Sequence, residues 1–230
     1  MDTSYSRTLI QRFLSHFHPS AFLLATQVLI LFSFAIFDEL PDEQAMINGF
    51  GVAVVILIVW VVNHSPAINW IAWALSVPAV VFSLLSAFLD TSGILVWSSL
   101  INGALYLYAA GSLIAYMLHD DQVTTDELYA IGATFTLIAW AFAYFFQVNQ
   151  IWDPGSYTSV LRPGENLPFI ELLFLSFTNL SSVGISDVYP VSTTARVLVM
   201  IEQMTGVGYI AMVVSRLVGL AIQRQARRGK

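Results

Sequence analysis

The chain has 230 residues, of which 57% are hydrophobic and only 10% charged, and its mean hydropathy is +0.73. Soluble domains of this length carry about a quarter charged residues, so this composition excludes a water-covered globule and places the chain in a membrane. There is no cysteine, which excludes disulfides, thiolate metal sites and a cysteine nucleophile, and the formal net charge of -6 says little about partners when the bulk of the protein faces lipid.

Crossing the hydrocarbon of a bilayer takes about 20 mostly apolar residues. Runs of that kind are expected near Ala21–Phe37, Phe50–Val62, Ile68–Leu89, Ile94–Leu118, Leu128–Val148 and Thr193–Ile222, the second being short as counted. Arg7 and Arg12 precede the first run, and Arg224, Arg227, Arg228 and Lys230 follow the last. By the bias of Lys and Arg toward the cytoplasm, both termini are expected to be cytoplasmic. The acidic loop Asp38–Asn48 and the loop Asn149–Asn166 then lie outside. The first run is expected to be a retained helix, since an acidic cluster follows it without a clear small-x-small cleavage site.

Between Arg12 and Arg162 there is no Lys or Arg. Voltage sensing moves several positive charges through the membrane field, at about 2.3 kcal/mol per charge per 100 mV, so the fourth run has nothing to move. Lys230 is the lone lysine, which rules out a Schiff base inside the membrane. His16, His18, His64 and His119 fall at or beyond helix ends, as do Asp90 and Asp120, so bound haem and proton relays within the spans are not expected. Pro66, Pro78 and Gly103 read as kinks and close packing. Trp60, Trp70, Trp73, Trp97 and Trp140 read as interfacial or packed aromatics.

Leu167–Leu180 is apolar but too short to span, and it is followed by Ser-Ser-Val-Gly-Ile-Ser-Asp and then Tyr189-Pro190. This pattern predicts a re-entrant helix beginning at Pro168. Backbone without helical bonding survives at membrane depth only where protein or a water-filled cavity receives it. Such a helix points its negative dipole end toward the bilayer centre, where it favours a cation. A loop climbing back outward can offer a column of carbonyl oxygens in place of an ion's water shell. Ser182 can add a hydroxyl at the inner end, and Asp187 a ring of carboxylates near the outer mouth.

Ser181-Ser182-Val183-Gly184-Ile185-Ser186-Asp187-Val188-Tyr189-Pro190 resembles the Thr-Thr-Val-Gly-Tyr-Gly-Asp-(hydrophobic)-x-Pro filter signature of the potassium-channel superfamily. Phe174-Leu175-Ser176-Phe177-Thr178 resembles the pore helix of that family. Ala195-Arg196, Glu202, Gly206, Tyr209, Ala211 and Ser215-Arg216-Leu217-Val218-Gly219 resemble the inner helix of its prokaryotic members. The resemblance extends over Leu128 to Ile222. It implies an all-α integral membrane fold of six transmembrane helices plus a re-entrant pore helix and filter loop, assembled as a homotetramer in the cell membrane. It further implies that the carbonyls of Val183, Gly184 and Ile185 and the hydroxyl of Ser182 line the ion path, with Ser186 completing the filter. Asp187 would sit behind the filter or at its mouth. Gly206 falls at the hinge position, with close helix packing by Gly206 and Gly208 as the alternative. Val207, Ile210 and Val214 share a helical face that would line a cavity.

Two positions depart from the family. Ile185 replaces an aromatic that braces the filter, and Ser186 replaces the second filter glycine; a positive φ at Ser186 would cost about 1–2 kcal/mol. Both bear on potassium-over-sodium selectivity more than on cation permeability. Glu171 suits the positive end of the pore-helix dipole. Glu202 is an intramembrane carboxylate and so a candidate functional group, with a hydrogen bond to the pore-helix region as the other reading. Arg216 would snorkel toward the cytoplasm or pair with Asp120, Asp121 or Asp126.

The expected organisation is a cytoplasmic segment (1–20), a four-helix domain without gating charges (21–118), a linker (119–127), a pore domain (128–222) and a basic tail (223–230). The expected function is passive cation flux, with potassium or alternatively sodium as the permeating ion. No cofactor, nucleic acid, enzymatic activity or soluble ligand domain is expected. A channel-like membrane scaffold or sensor that conducts weakly is the alternative.

Overall fold

The computed structural model describes residues 19–36, 54–61, 69–88, 92–119 and 125–228. The expectations for the N-terminal segment, the acidic loop at 38–48, Asp90, Asp120 and Asp121, and His16, His18 and His64 lie outside these residues. So do those for the side chains of Arg224, Arg227, Arg228 and Lys230.

The described chain is mainly helical, with two short strands and the loops that join them to the helices. α1 is Pro19–Ile36, a further helical stretch covers 54–61, and then come α2 (Asn69–Phe88), α3 (Ser92–His119), α4 (Thr125–Trp152), β1 (Tyr157–Ser159), α5 (Phe169–Leu180), β2 (Val188–Pro190) and α6 (Thr193–Arg228). Four of these helices are long and apolar enough to cross a membrane: Pro19–Ile36, Ser92–His119, Asp126–Trp152 and Thr193–Ile222. The other two expected spans correspond to the shorter apolar stretch Trp70–Ser86, with Pro78 inside its helix, and to 54–61.

α4 is the centre of the chain. Of its most apolar stretch, 67% is buried, against 28% for α6. α3 packs along it through glycine and aromatic contacts: a Cβ on Gly103 would stand 2.8 Å from the Phe145 ring, and Tyr106 stacks on Trp140 at 6.1 Å. α1 packs on another face, where a Cβ on Gly132 would meet Leu24 at 2.9 Å and Thr136 donates to Gln27 Oε1 at 2.6 Å. Helices in lipid gain little from apolar burial against one another, so close approach and interhelical hydrogen bonds hold them. Ser99 Oγ to Gln147 Oε1 (2.8 Å) and Asn102 Nδ2 to Ser83 Oγ (3.1 Å) serve the same purpose between α3 and its neighbours.

α4 is longer than expected at both ends. It begins at Thr125, so Asp126 and Glu127 form its first turn, where carboxylates suit the helix dipole, and are not part of a free linker. It continues to Trp152, so Asn149 and Gln150 are buried helical residues and the outer loop starts later. That loop carries β1, which pairs antiparallel with β2 in the register Tyr157↔Pro190, Thr158↔Tyr189 and Ser159↔Val188. Tyr157 is fully buried against Phe146, with ring centroids 5.3 Å apart, and this anchors the pair to the end of α4.

Gln150 positions the short helix that follows. Its Nε2 donates to the Leu167 carbonyl at 2.9 Å and its Oε1 accepts from the Leu167 amide at 3.0 Å. One amide side chain thus satisfies both backbone groups of the residue before Pro168, which caps α5 in extended conformation with φ -64° and ψ 157°. Gln150→Leu keeps the volume and leaves both buried backbone groups unpaired, at about 1–3 kcal/mol each. Faster amide hydrogen exchange over 167–172, with α3 unaffected, is the expected result; unchanged exchange there would show that the clamp does not hold α5.

Candidate functional site

α5 ends inside the protein. Its Leu180 carbonyl lies against α6 so closely that a Cβ on Gly206 would stand 2.0 Å from the oxygen. Gly206 is thirteen residues into a helix that starts at Thr193, or about 20 Å along its axis, near the middle of the spanning stretch Thr193–Ile222. Between the alternatives of hinge and packing, the geometry demonstrates packing at Gly206. Gly208 has no neighbour within 4 Å of its Cβ position among the described residues outside its own helix backbone.

The residues of α6 that face inward recur at spacings of four and three: Ala195, Val199, Glu202, Gly206, Tyr209, Val213, Arg216 and Leu220 are buried or half-buried. This is a seam of the kind that keeps one helix face on its neighbour over many turns. Three rungs join it to α5. Ser176 contacts Glu202 Oε1, Gln203 Nε2 donates to Asn179 Oδ1 at 2.8 Å, and Leu180 meets Gly206. The sequence alternative for Glu202, a hydrogen bond to the pore helix, is therefore what the structure contains. Val207, Ile210 and Val214 are exposed on the flank of this seam, and Ile210 and Val214 line a cleft with Leu24 of α1 and Phe135 of α4.

The end of α5 is a Schellman motif. The Val183 amide donates to the Thr178 carbonyl at 3.0 Å and the Ser182 amide to the Asn179 carbonyl at 3.0 Å, with the Gly184 amide also reaching Thr178 at 2.9 Å. The residue at the left-handed position of this motif is Ser182, with φ 61°, and Gly184 follows with φ 67°. Non-glycine residues pay about 1–2 kcal/mol for that conformation. A positive φ at Ser186 would have been strained, with another backbone there as the alternative; among the described residues the positive φ of a non-glycine falls at Ser182 alone. Ser186 instead closes a local turn, its hydroxyl accepting from the Val188 amide at 3.0 Å, a bond that serine forms readily in place of regular structure. Val183 and Ile185 are exposed in the single chain, so Ile185 does not brace the loop against its own α5.

Asp187 is held to the outer loop. Its carbonyl accepts from the Val160 amide at 3.1 Å and its carboxylate from Ser159 Oγ at 3.3 Å. Nearby, Glu171 in the first turn of α5 pairs with Arg162 at 3.6 Å. Burial pushes the Glu171 carboxyl above its ordinary range, Arg162 opposes this, and the Asp187 charge adds to it. The link from 181–187 to the β1–β2 pair was not visible in the sequence; short Tyr-Thr-Ser and Val-Tyr-Pro runs are the weak signal that remains.

At the far end of α6, Arg216 donates to Glu127 at 3.0 Å, and both side chains are largely buried. The expected partners were Asp120, Asp121 or Asp126. Of these, Asp126 accepts from the amide and hydroxyl of Ser20, at 3.3 and 3.1 Å, and so ties α1 to α4. Glu127 belongs to the same expected linker as those three, and as the third residue of α4 it is the one that faces α6. Among the described residues no group of three or more His, Cys, Asp or Glu is arranged to hold a metal.

Residues 131–223 match the family model described as ion channel. Comparison with curated proteins and with solved structures gave no match. The family match covers the greater part of α4, all of α5 and the 181–187 loop, and most of α6. It supports an ion-channel pore domain there, in a protein whose described residues include four apolar helices able to cross a membrane, and points to a channel and not to an enzyme.

Two predictions follow the contacts. Gly206→Ala forces a methyl group onto a backbone oxygen that cannot step aside, at about 3 kcal/mol or more, whereas Gly208→Ala enters open space and gains helix propensity. Thermal unfolding in detergent is expected to fall for the first variant and to hold or rise for the second. Arg216→Glu leaves a charge buried beside Glu127, a loss of about 3–5 kcal/mol. Adding Glu127→Arg is expected to recover part of it and Asp126→Arg none; equal rescue by both would dismiss the pair.

Proposed function

We propose that the chain is one subunit of a tetrameric, six-span cation channel, that residues 182–186 form its filter, and that potassium is the preferred ion. The observation that carries this reading is the depth at which α5 stops. Leu180 abuts the middle of α6, while Val188–Pro190 lies at the start of α6, where Arg196 Nε donates to the Pro190 carbonyl at 3.4 Å. Arg196 and Gly206 stand about 15 Å apart along α6, and the chain returns over about that distance in the eight steps from Leu180 to Val188, whose extended limit is about 27 Å. Amides of Ser182, Val183 and Gly184 fold back on Thr178 and Asn179, so the outward return falls to the four steps from Gly184 to Val188, which leaves that segment little slack for coiling. The negative dipole end of α5 lies at its base. That arrangement is suited to exchanging carbonyl oxygens for an ion's hydration shell.

One chain offers one such strand, and Val183 and Ile185 stand exposed on it, as do Val207, Ile210 and Val214 on α6. Four copies around an axis would turn the filter strands toward one another and give the exposed α6 face a cavity to line. Asp187, held behind the strand by Ser159 and Val160, supports the filter's outer end. The absence of Lys and Arg from Phe13 to Leu161 removes the charges an Arg-bearing voltage sensor would need. The protein is placed in the plasma or inner membrane with both termini cytoplasmic, following its basic ends.

Purified protein in liposomes is expected to pass monovalent cations and exclude anions, with a reversal potential favouring potassium over sodium. Ile185→Tyr combined with Ser186→Gly is expected to sharpen that preference. Native mass spectrometry is expected to give four chains per particle. A well-folded tetramer that passes no cation in either form would sink the channel reading and leave the scaffold or sensor.

A further inference from the structure

Glu202 is completely buried in the middle of α6, and its Oε2 makes no hydrogen bond among the described residues. Its Oε1 contacts the hydroxyl of Ser176, which lies 2.8 Å from the carbonyl of Ala139 on α4. The hydrogens can be counted. Ser176 Oγ carries one, and the Ala139 carbonyl can only accept. If Glu202 were ionised, two acceptors would compete for that single hydrogen. The carboxylate would then sit out of water with at most one shared donor and no cation; among the described residues none pairs with it. A neutral Glu202 removes the conflict: its O–H donates to Ser176, and Ser176 donates to Ala139. Only a carbonyl-type oxygen is then left without a donor, the more tolerable of the two defects.

We propose that Glu202 is a positioning residue that works in its neutral acid form, passing a hydrogen bond from α6 through Ser176 of α5 to Ala139 of α4 and so fixing the inner end of α5, on which the filter is built. The placement favours this role. Ser176 is one turn above Leu180 and Glu202 one turn above Gly206, so the two contacts are successive rungs between helices running in the same direction. The upper rung orients the helix whose last carbonyls hold the amides of Ser182, Val183 and Gly184. From β1, the titratable group nearest Glu202 in influence is Tyr157, whose phenol is held above its usual range by burial, so it stays neutral. α5 and α4 present Ser176 and the Ala139 carbonyl, neither of which titrates. Ionising Glu202 would draw the Ser176 hydrogen away from Ala139 and break the chain at its centre.

This inference rests on reading 182–186 as the filter, so one of its tests does not depend on flux. Infrared spectra of the purified full-length protein at neutral pH are expected to show a protonated-carboxyl C=O band that is lost in Glu202→Gln and fades in the wild type on alkalisation. If no such band separates the two proteins, Glu202 is ionised and the proposal falls, whatever the channel does. In liposomes, wild-type cation flux is expected to fall about tenfold per pH unit once Glu202 ionises, the slope of one titrating proton. Glu202→Gln, whose amide can still donate, is expected to show no such fall, and Ser176→Ala to lower flux already at neutral pH. A Glu202 band that fades with pH while wild-type flux and selectivity stay constant would overturn the positioning role. If Glu202→Gln does not fold, the wild-type band and flux, titrated together, decide the matter. A wild type that passes no cation at any pH would instead count against the pore reading, with the infrared band still deciding the protonation of Glu202.

Discussion

The Leu180 carbonyl occupies the space that a side chain at position 206 would need, and much else in the structure follows from the closeness of that contact. A helix of twelve residues cannot cross a bilayer, so α5 must stop within it, and its end must rest on something that neither excludes it nor leaves its carbonyls bare. α6 meets the first need by presenting a glycine at mid-length, where its backbone and that of α5 can touch. Because the seam of α6 repeats at spacings of four and three, placing Gly206 beneath Leu180 also places Glu202 at Ser176 and turns Arg216 toward Glu127. One residue without a side chain thus sets the register of the whole inner helix.

The second need, partners for the last carbonyls of α5, is met by the loop itself. Amides of Ser182, Val183 and Gly184 fold back on Thr178 and Asn179 before the chain turns outward. This costs a left-handed serine at position 182, and the conformation is retained because both hydrogen bonds of the motif require it. Higher up, Ser186 and Asp187 face a different problem, that of anchoring the outer end of a nearly extended strand. A serine turn onto Val188 and two bonds to the 159–160 region solve it without positive φ. A serine in place of the second glycine is therefore compatible with this backbone, while the serine at 182 is the strained one.

These two cases show what the sequence could and could not tell. The short helix, its polar exit and the long helix after it were legible because length and periodicity are local properties, and the pattern of Leu167–Leu180 suits a segment that enters and stops. The buried carboxylate on α6 was legible for the same reason. Partner choice was not. Gln150 looked like an outer-loop residue and Glu127 like a linker residue because apolar runs mark where lipid ends, and helices extend past that point. Both belong to extra turns of α4, and their partners, Leu167 and Arg216, lie seventeen and eighty-nine residues away. The strand pair at Tyr157 and Val188 escaped notice because three-residue strands carry almost no pattern of their own.

The first helices of the chain, which carry no charge suited to sensing voltage, nevertheless reach the site by packing. Tyr106 on α3 meets Trp140 and Tyr144 on α4, and both of these meet Phe169, the first residue of α5, with ring centroids 5.7 and 4.9 Å away. Aromatic pairs of this kind contribute about 0.5–1.5 kcal/mol each beyond their burial, enough to hold the outer end of α5 while the Glu202 and Gly206 rungs hold its inner end. On the other side, α1 binds the first turn of α4 through Ser20 and Asp126, beside the residue that receives Arg216. A shift of α3 would therefore be felt first at the start of the short helix, and a shift of α1 first at the Arg216 end of α6. A rigid collar would need neither contact. That the two peripheral helices contact opposite ends of the pore elements, each through α4, makes α4 the main link between them among the described residues.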